Sequence, residues 1–222
     1  MPLTGKKMVI TGAAGGLGAG VARVAKRQGA EVVLLDVIED FQSDLGQTFS
    51  VDLTDSDNVE ACFEAIGPFD IVANIAGGFD MGPEVHQTDD ALWDALFDIN
   101  VTTLRRVLSA ATPRLLANGG GRIINVGAVG ALKGGPNMGA YLASKSVVMR
   151  LTESLSEEVK GHGINVNAVL PSVINTARNR QDMPDADFSL WVDPEDLGQV
   201  VCFLGSDAAK ACLLYTSDAA DD

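Results

Sequence analysis

Tyr141 and Lys145 are the pair in this chain best suited to move a proton. They stand four residues apart in residues 140–160, whose apolar spacing predicts a helix, so both side chains lie on one face. An ammonium beside a phenol favours the phenolate and lowers the tyrosine pKa toward working pH, which suits general acid or base work. Taken alone, a Tyr and a Lys at this spacing arise often by chance.

A second group of residues has a different chemistry. KMVITGAAGGLG (residues 7–18) reads as a short strand at 8–10, a turn carrying Gly12, Gly16 and Gly18, and an apolar-periodic helix at 17–25. Glycines there allow positive φ and close approach of a phosphate, and the helix start supplies free N–H groups and a positive dipole end. The next strand, 31–35, ends in Asp36, 24 residues beyond Gly12, near the spacing of an acid that binds a ribose. The expected ligand is a dinucleotide pyrophosphate. A carboxylate at position 36 accepts from 2′- and 3′-hydroxyls and repels a 2′-phosphate. Val37, Ile38, Glu39 and Asp40 offer no cation for that phosphate, so NAD(H) is favoured over NADP(H). A phenol and an amine near such a cofactor would serve hydride transfer.

The elements that must position these groups alternate between strand and helix. Strands are expected at 48–52, 70–74, 122–126 and 164–170, the last ended by Pro171. Helices are expected at 57–66, across 89–117 as two stretches broken near Asn100, at 140–160, and at 194–204 with Asp193 as N-cap and Pro194 first. This order predicts an α/β fold, a three-layer, doubly wound parallel sheet of the Rossmann type. The last strand of such a sheet is expected to be missing, which would leave its neighbour with unpaired edge groups.

The chain has 222 residues, 46% of them apolar, enough for one sizeable core and one domain over residues 1–211. CLLYTSDAADD (residues 212–222) breaks the preceding pattern and resembles a translated sequencing adapter, with a short genuine acidic tail as the alternative. Its three Asp account for the difference between a net charge of −14 and one of −11. Either value argues against nucleic-acid or anionic-membrane partners, which require clustered Lys and Arg. The apolar runs are strand-sized and the N-terminus holds no secretory apolar region, so a cytoplasmic location is expected. Cys62, Cys202 and Cys212 form no C-x-x-C and have no partner histidine spacing, so no disulfide framework and no metal site is expected.

The ordered motifs together resemble the short-chain dehydrogenase/reductase family over nearly the whole native length. TGAAGGLG (11–18) is similar to the family's TGxxxGxG, VDLTD (51–55) to its adenine-contacting element, and IVANIAG (71–77) to its NNAG stretch. DIN (98–100), YLASK (141–145) and PSVINT (171–176) follow in the family's order, with Ser172 in place of a glycine. The resemblance implies catalytic roles for Asn100, Tyr141 and Lys145. It implies cofactor contacts at Gly12, Gly16, Leu17, Gly18, Asp36, Asp52, Leu53, Asn74, Ala76, Gly77, Tyr141, Lys145, Pro171 and Thr176. It also implies a homodimer or homotetramer joined through helices at 101–117 and 141–160.

One position departs from the family. Its catalytic serine lies thirteen residues before the tyrosine, where this chain has Ala128, so the hydroxyl that orients a carbonyl or alcohol is absent. Asn125 is near in sequence, with nothing to show that it substitutes. The subgroup most similar in this respect is the dihydropteridine reductase-like one, which also has alanine there and prefers NADH. AGGF (76–79) and residues 175–191 add to that likeness. The reading is an NAD(H)-dependent oxidoreductase acting on a small cyclic or carbonyl substrate such as a quinonoid dihydropterin. The alternative is a catalytically silent NAD-binding redox sensor or scaffold. Phe79, Met183, Phe188 and Trp191 either line an apolar substrate pocket or pack in the core. Arg180 and Asp187 either bind a polar substrate edge or face water. His86 and His162 are isolated, and Asp89, Asp90 and Asp94 form a helix start and its wet face.

Overall fold

The computed structural model describes residues 1–212. The proposed tail, apart from Cys212, lies outside them. Six strands, β1 (Lys7–Thr11), β2 (Glu31–Asp36), β3 (Gln47–Ser50), β4 (Ile71–Asn74), β5 (Gly121–Val126) and β6 (Ile164–Val169), form one sheet in the order β3-β2-β1-β4-β5-β6. Every pairing is parallel. The helices are α1 (Gly16–Arg27), α2 (Ser56–Ile66), α3 (Asp90–Phe97), α4 (Thr103–Ala117), α5 (Gly139–Glu158), α6 (Ala177–Asp182) and α7 (Pro194–Gly205).

The strands are buried on both faces, and their alternating side chains feed two separate cores. Val9, Val33, Val72, Ile123 and Val166 pack on one side with Phe63 of α2, Leu104 and Leu115 of α4 and Val148 of α5. Met8, Ile10, Leu34, Ile71 and Ile124 pack on the other with Val21 and Val24 of α1 and Leu197 and Val201 of α7. The three-layer α/β reading of the sequence is therefore correct. Among the described residues the sheet ends at β6, where Asn165 Nδ2 donates to the carbonyls of Lys210 and Cys212 (2.9 and 3.0 Å) and Asn167 Nδ2 to that of Cys212 (3.0 Å).

Several boundaries move for local reasons. The third strand stops at Ser50, because the Asp52 carboxylate accepts from the N–H and hydroxyl of Thr54 and turns the chain there. Asp55 caps α2 by accepting from the Asp57 and Asn58 N–H groups, which starts that helix one residue early. Asp70 immediately precedes β4: its N–H donates to the Lys7 carbonyl (3.0 Å), its carbonyl accepts from the Arg122 N–H (2.9 Å), and its carboxylate accepts from the Lys7 N–H (2.8 Å). The break expected near Asn100 is one π turn, Asp98–Thr102, continuous with α3 and α4. Helix α6 was not expected; it is polar, six residues long and capped by the Thr176 side chain. Asp193 caps α7 as expected, with Pro194 first.

Candidate active site

In a parallel sheet all strand exits lie on one edge, and strand order reverses between β1 and β4, so a crevice opens beyond those two ends. Gly12 follows β1 with φ +62°, and a Cβ there would lie 2.8 Å from the Ala76 backbone that follows β4. Thr11 Oγ joins the same exits by accepting from the N–H groups of Ile75 and Ala76, both at 3.0 Å. A Cβ on Gly18 would lie 2.2 Å from the Gly12 carbonyl oxygen, and one on Gly16 2.9 Å from Thr176 Cγ2. Gly15, the N-cap of α1, has no side chain to close the first-turn N–H groups. The result is a backbone cradle at a helix N-terminus, shaped for an anionic diphosphate.

The other cofactor candidates divide between this crevice and the interior. One Asp36 oxygen accepts from the Ala14 N–H (2.9 Å) and the other from the Ile38 N–H (3.3 Å), so the carboxylate is fixed beside the glycine turn. Leu17 and Leu53 are buried in the two cores, which leaves their backbone groups for a ligand. Asp52 is exposed and bonded within its own turn. Pro171 and Thr176 follow β6, and Thr176 touches Gly16 as described.

Asn100, Tyr141, Lys145 and Gly77 come together. A Cβ on Gly77 would lie 2.8 Å from Asn100 Oδ1 and 3.2 Å from Lys145 Nζ. Asn100 Oδ1 accepts from the Gly78 N–H, and Nδ2 donates to the Gly78 carbonyl (both 3.0 Å) and to Ser144 Oγ (3.1 Å). Ser144 Oγ donates to the Tyr141 carbonyl (2.7 Å), so the π turn is tied to the first turns of α5. Ser144 carried no signal in the sequence beyond lying between the tyrosine and the lysine.

The electrostatics differ from the expectation. Lys145 Nζ donates to the Val126 carbonyl (3.0 Å), and burial pulls its pKa down to about 8. Burial also raises the Tyr141 phenol above its ordinary value, so this protein alone does not lower it. Loss of water is the cause in both groups. Cys62 and Cys202 are buried thiols pushed up to about 11 and about 12, which removes them as thiolate nucleophiles at neutral pH.

Ala128 is buried at the exit of β5. Asn125 does not replace the missing hydroxyl: its Oδ1 accepts from Asn74 Nδ2 (2.8 Å), its Nδ2 donates to Thr152 Oγ (2.9 Å), and it is 1% exposed. Asn74 is thereby a buried member of a chain between β4, β5 and α5. The Phe79 ring meets the Tyr141 ring edge to face with centroids 4.9 Å apart. Phe188 and Trp191 pack together 4.7 Å apart, and the Arg180 guanidinium lies 4.9 Å from the Phe188 ring while donating to Asn175 Oδ1. Asp187 caps its own short turn, and His86 is exposed beside Glu84.

A doubly wound sheet with a glycine cradle at its switch point and a Tyr, Lys and Asn cluster beside it defines the class of nucleotide-dependent oxidoreductases. Residues 6–187 match the short chain dehydrogenase family, and the chain belongs to it. It is similar to 2-(S)-hydroxypropyl-CoM dehydrogenase 3 of Xanthobacter autotrophicus, with 30% identity over 93% of this chain and 92% of that protein. It is 33% identical to the oxidoreductase UcpA of Salmonella typhimurium over 94% of this chain and 90% of that one. Among solved structures it resembles carveol dehydrogenase of Mycobacterium avium in complex with NAD, at 29% identity and a TM-score of 0.86, covering 96% and 95% of the two chains. The protein is an oxidoreductase of this family, and no helix among the described residues is long and apolar enough to cross a membrane.

Proposed function

We propose that the protein transfers a hydride between NAD(H) and a small cyclic or carbonyl substrate, with Tyr141 as the group that gives or takes the proton. The observation that carries this reading is that Gly77 lies against Asn100 Oδ1 and Lys145 Nζ, while Asn100 reaches the helix that carries Tyr141 and Lys145 through Ser144. The cradle fits the nicotinamide cofactor because Gly12, Gly16 and Gly18 stand where any Cβ would collide with backbone or with Thr176. Gly12, Gly16, Leu17 and Gly18 would hold the diphosphate through backbone groups, and Asp36 a ribose. Asp52 and Leu53 would bound the adenine; Asn74, Ala76, Gly77, Pro171 and Thr176 would line the rest. Bound NADH supplies the hydride.

NAD(H) is favoured over NADP(H) because the Asp36 carboxylate sits against the Ala14 N–H, where a 2′-phosphate would meet its charge. Lys145, buried and carrying a proton near neutral pH, offers a cation to the nicotinamide ribose and to the phenolate that forms at Tyr141. Asn100 holds the loop after β4 and the start of α5 in register through Gly78 and Ser144. With Ala128 at the position of the family's serine, no hydroxyl is supplied there to a substrate oxygen. This favours an electrophile already activated within its own ring, as in a quinonoid dihydropterin, over a simple ketone. A dihydropteridine reductase-like subgroup, a homodimer or homotetramer and a cytoplasmic location belong to the same proposal, as does a single domain over residues 1–211.

The test is to mix the full chain with NADH and a panel of quinonoid dihydropterins, ketones and quinones. Oxidation of NADH with the dihydropterins, abolished in Tyr141→Phe, supports the reading. Tight NADH binding with no oxidation by any member would support a redox sensor instead.

A further inference from the structure

The loop between β4 and α3 lies over the start of α5, and it is fastened there by a residue that the catalytic reading leaves unused. The Gly82 N–H donates to the Asn137 carbonyl (3.0 Å), and Asn137 Nδ2 donates back to the Gly82 carbonyl (2.7 Å). Asn137 adopts φ +60°, a left-handed conformation that asparagine tolerates better than most residues. Three residues earlier on the loop Phe79 meets Tyr141, and three residues later Val85 lies where a Cβ at Gly139 would come within 2.6 Å of it. The loop therefore touches α5 and its lead-in at Asn137, Gly139 and Tyr141. The space enclosed between them, bounded by Met81, Leu92, Leu96, Met138 and Tyr141, is about 10 Å³, room for one water at most.

We propose that Asn137 is a positioning residue: its two bonds to Gly82 seat the β4–α3 loop so that the Phe79 ring fixes the orientation of the Tyr141 phenol. This rests on the reading of Tyr141 as the proton-transfer group. The phenol has no serine hydroxyl at position 128 to restrain it, so its ring orientation depends on the aromatic edge-to-face contact and on what holds Phe79 in place. A rigid clamp on the loop supplies that restraint without touching the substrate or the cofactor.

Asn137→Gly tests the clamp, because glycine accepts the same backbone angle without strain and removes only the side-chain bond. Phe79→Leu removes the ring and Phe79→Tyr restores it. Turnover with the panel substrate of the parent is expected to fall roughly 10- to 100-fold in Asn137→Gly and Phe79→Leu, the scale of a small misplacement of a reacting group, and to return in Phe79→Tyr. NADH affinity by calorimetry should stay within about twofold of the parent, since the glycine cradle is untouched. A second readout does not need turnover. In a Tyr215→Phe background Tyr141 is the one tyrosine of the chain, and its ring signals in a tyrosine-labelled NMR spectrum carry the ring-current shift of Phe79. Asn137→Gly should move those signals toward their Phe79→Leu positions. Unmoved signals together with parental turnover overturn the proposal, and so does loss of NADH binding in Asn137→Gly, which would assign the residue to the fold. A parent inactive on every panel member defeats the proposed function, while the tyrosine spectrum still decides the positioning.

Discussion

The two sides of the crevice are built in opposite ways. At the exit of β1, the site is made by backbone meeting backbone: Gly12 against Ala76, Gly18 against the Gly12 carbonyl, and free N–H groups at an uncapped helix start. At the exits of β4 and β5, it is made by side chains: Asn100 on Ser144, Lys145 on the Val126 carbonyl, Phe79 on Tyr141, Asn137 on Gly82. Backbone contact is unforgiving, because no rotamer change relieves it. Side-chain contact can be retuned one residue at a time, and the loss of a hydroxyl at position 128 is such a change.

The largest effect should come from adding a methyl group to the backbone side. Gly18→Ala places a Cβ 2.2 Å from a carbonyl oxygen and forces α1 off β1, so loss of NADH binding and several kcal/mol of stability are expected. Gly12→Ala, at φ +62° and 2.8 Å from backbone, should follow. Gly16→Ala should cost least, because its neighbour at 2.9 Å is the end of the Thr176 side chain. Urea unfolding and NADH calorimetry on the three variants check the order. A Gly16→Ala as damaging as Gly18→Ala would remove the distinction between the two sides.

On the side-chain half, Tyr141→Phe deletes one oxygen and should leave NADH affinity unchanged while turnover falls about 10²- to 10⁴-fold, the usual scale for a lost acid or base. Single-turnover NADH oxidation measures it. Retained turnover would mean that the proton comes from solvent.

This contrast also explains what could be read in advance. Glycines are the sequence's mark of a backbone constraint, so the cradle and its partner Asp36 were visible as spacing. The Tyr141 and Lys145 pair was visible as a helix period. Asn137 and Ser144 were not, because their partners, Gly82 and Asn100, lie 55 and 44 residues away and the bonds depend on tertiary placement. The expected lowering of the Tyr141 pKa also failed for that reason: sequence spacing places the amine near the phenol but says nothing of burial, which here acts on both groups.

Burial of Lys145 makes a prediction about stability. Its pKa of about 8 in the fold lies below the 10.5 of a free lysine, so in the window from about 8 to 10.5 the unfolded chain binds more protons. The contribution of this group to stability therefore rises with pH through that window, and the penalty is complete below it, at roughly 3 kcal/mol. Lys145→Met should be more stable than the parent at pH 7, with the advantage fading by pH 10.5. Urea midpoints measured across that range check the sign; a difference independent of pH would mean that the amine is not desolvated.

The smallest and most selective effect is expected at Ala128. The residue is buried at the exit of β5 with φ −154° and ψ 142°, an extended conformation that serine adopts as readily, so Ala128→Ser costs little in the fold. A hydroxyl there adds a donor at the family's serine position, where Asn125, spent on Asn74 and Thr152, provides none. Ketone reduction should rise by about 10-fold, the worth of one hydrogen bond to a developing charge in a partly buried site, and dihydropterin reduction should change less. An equal fall in both would show that the alanine is required for packing and that the missing hydroxyl does not set substrate choice. A selective rise would show that chemistry on the side-chain half is adjusted by single atoms while the backbone half stays fixed.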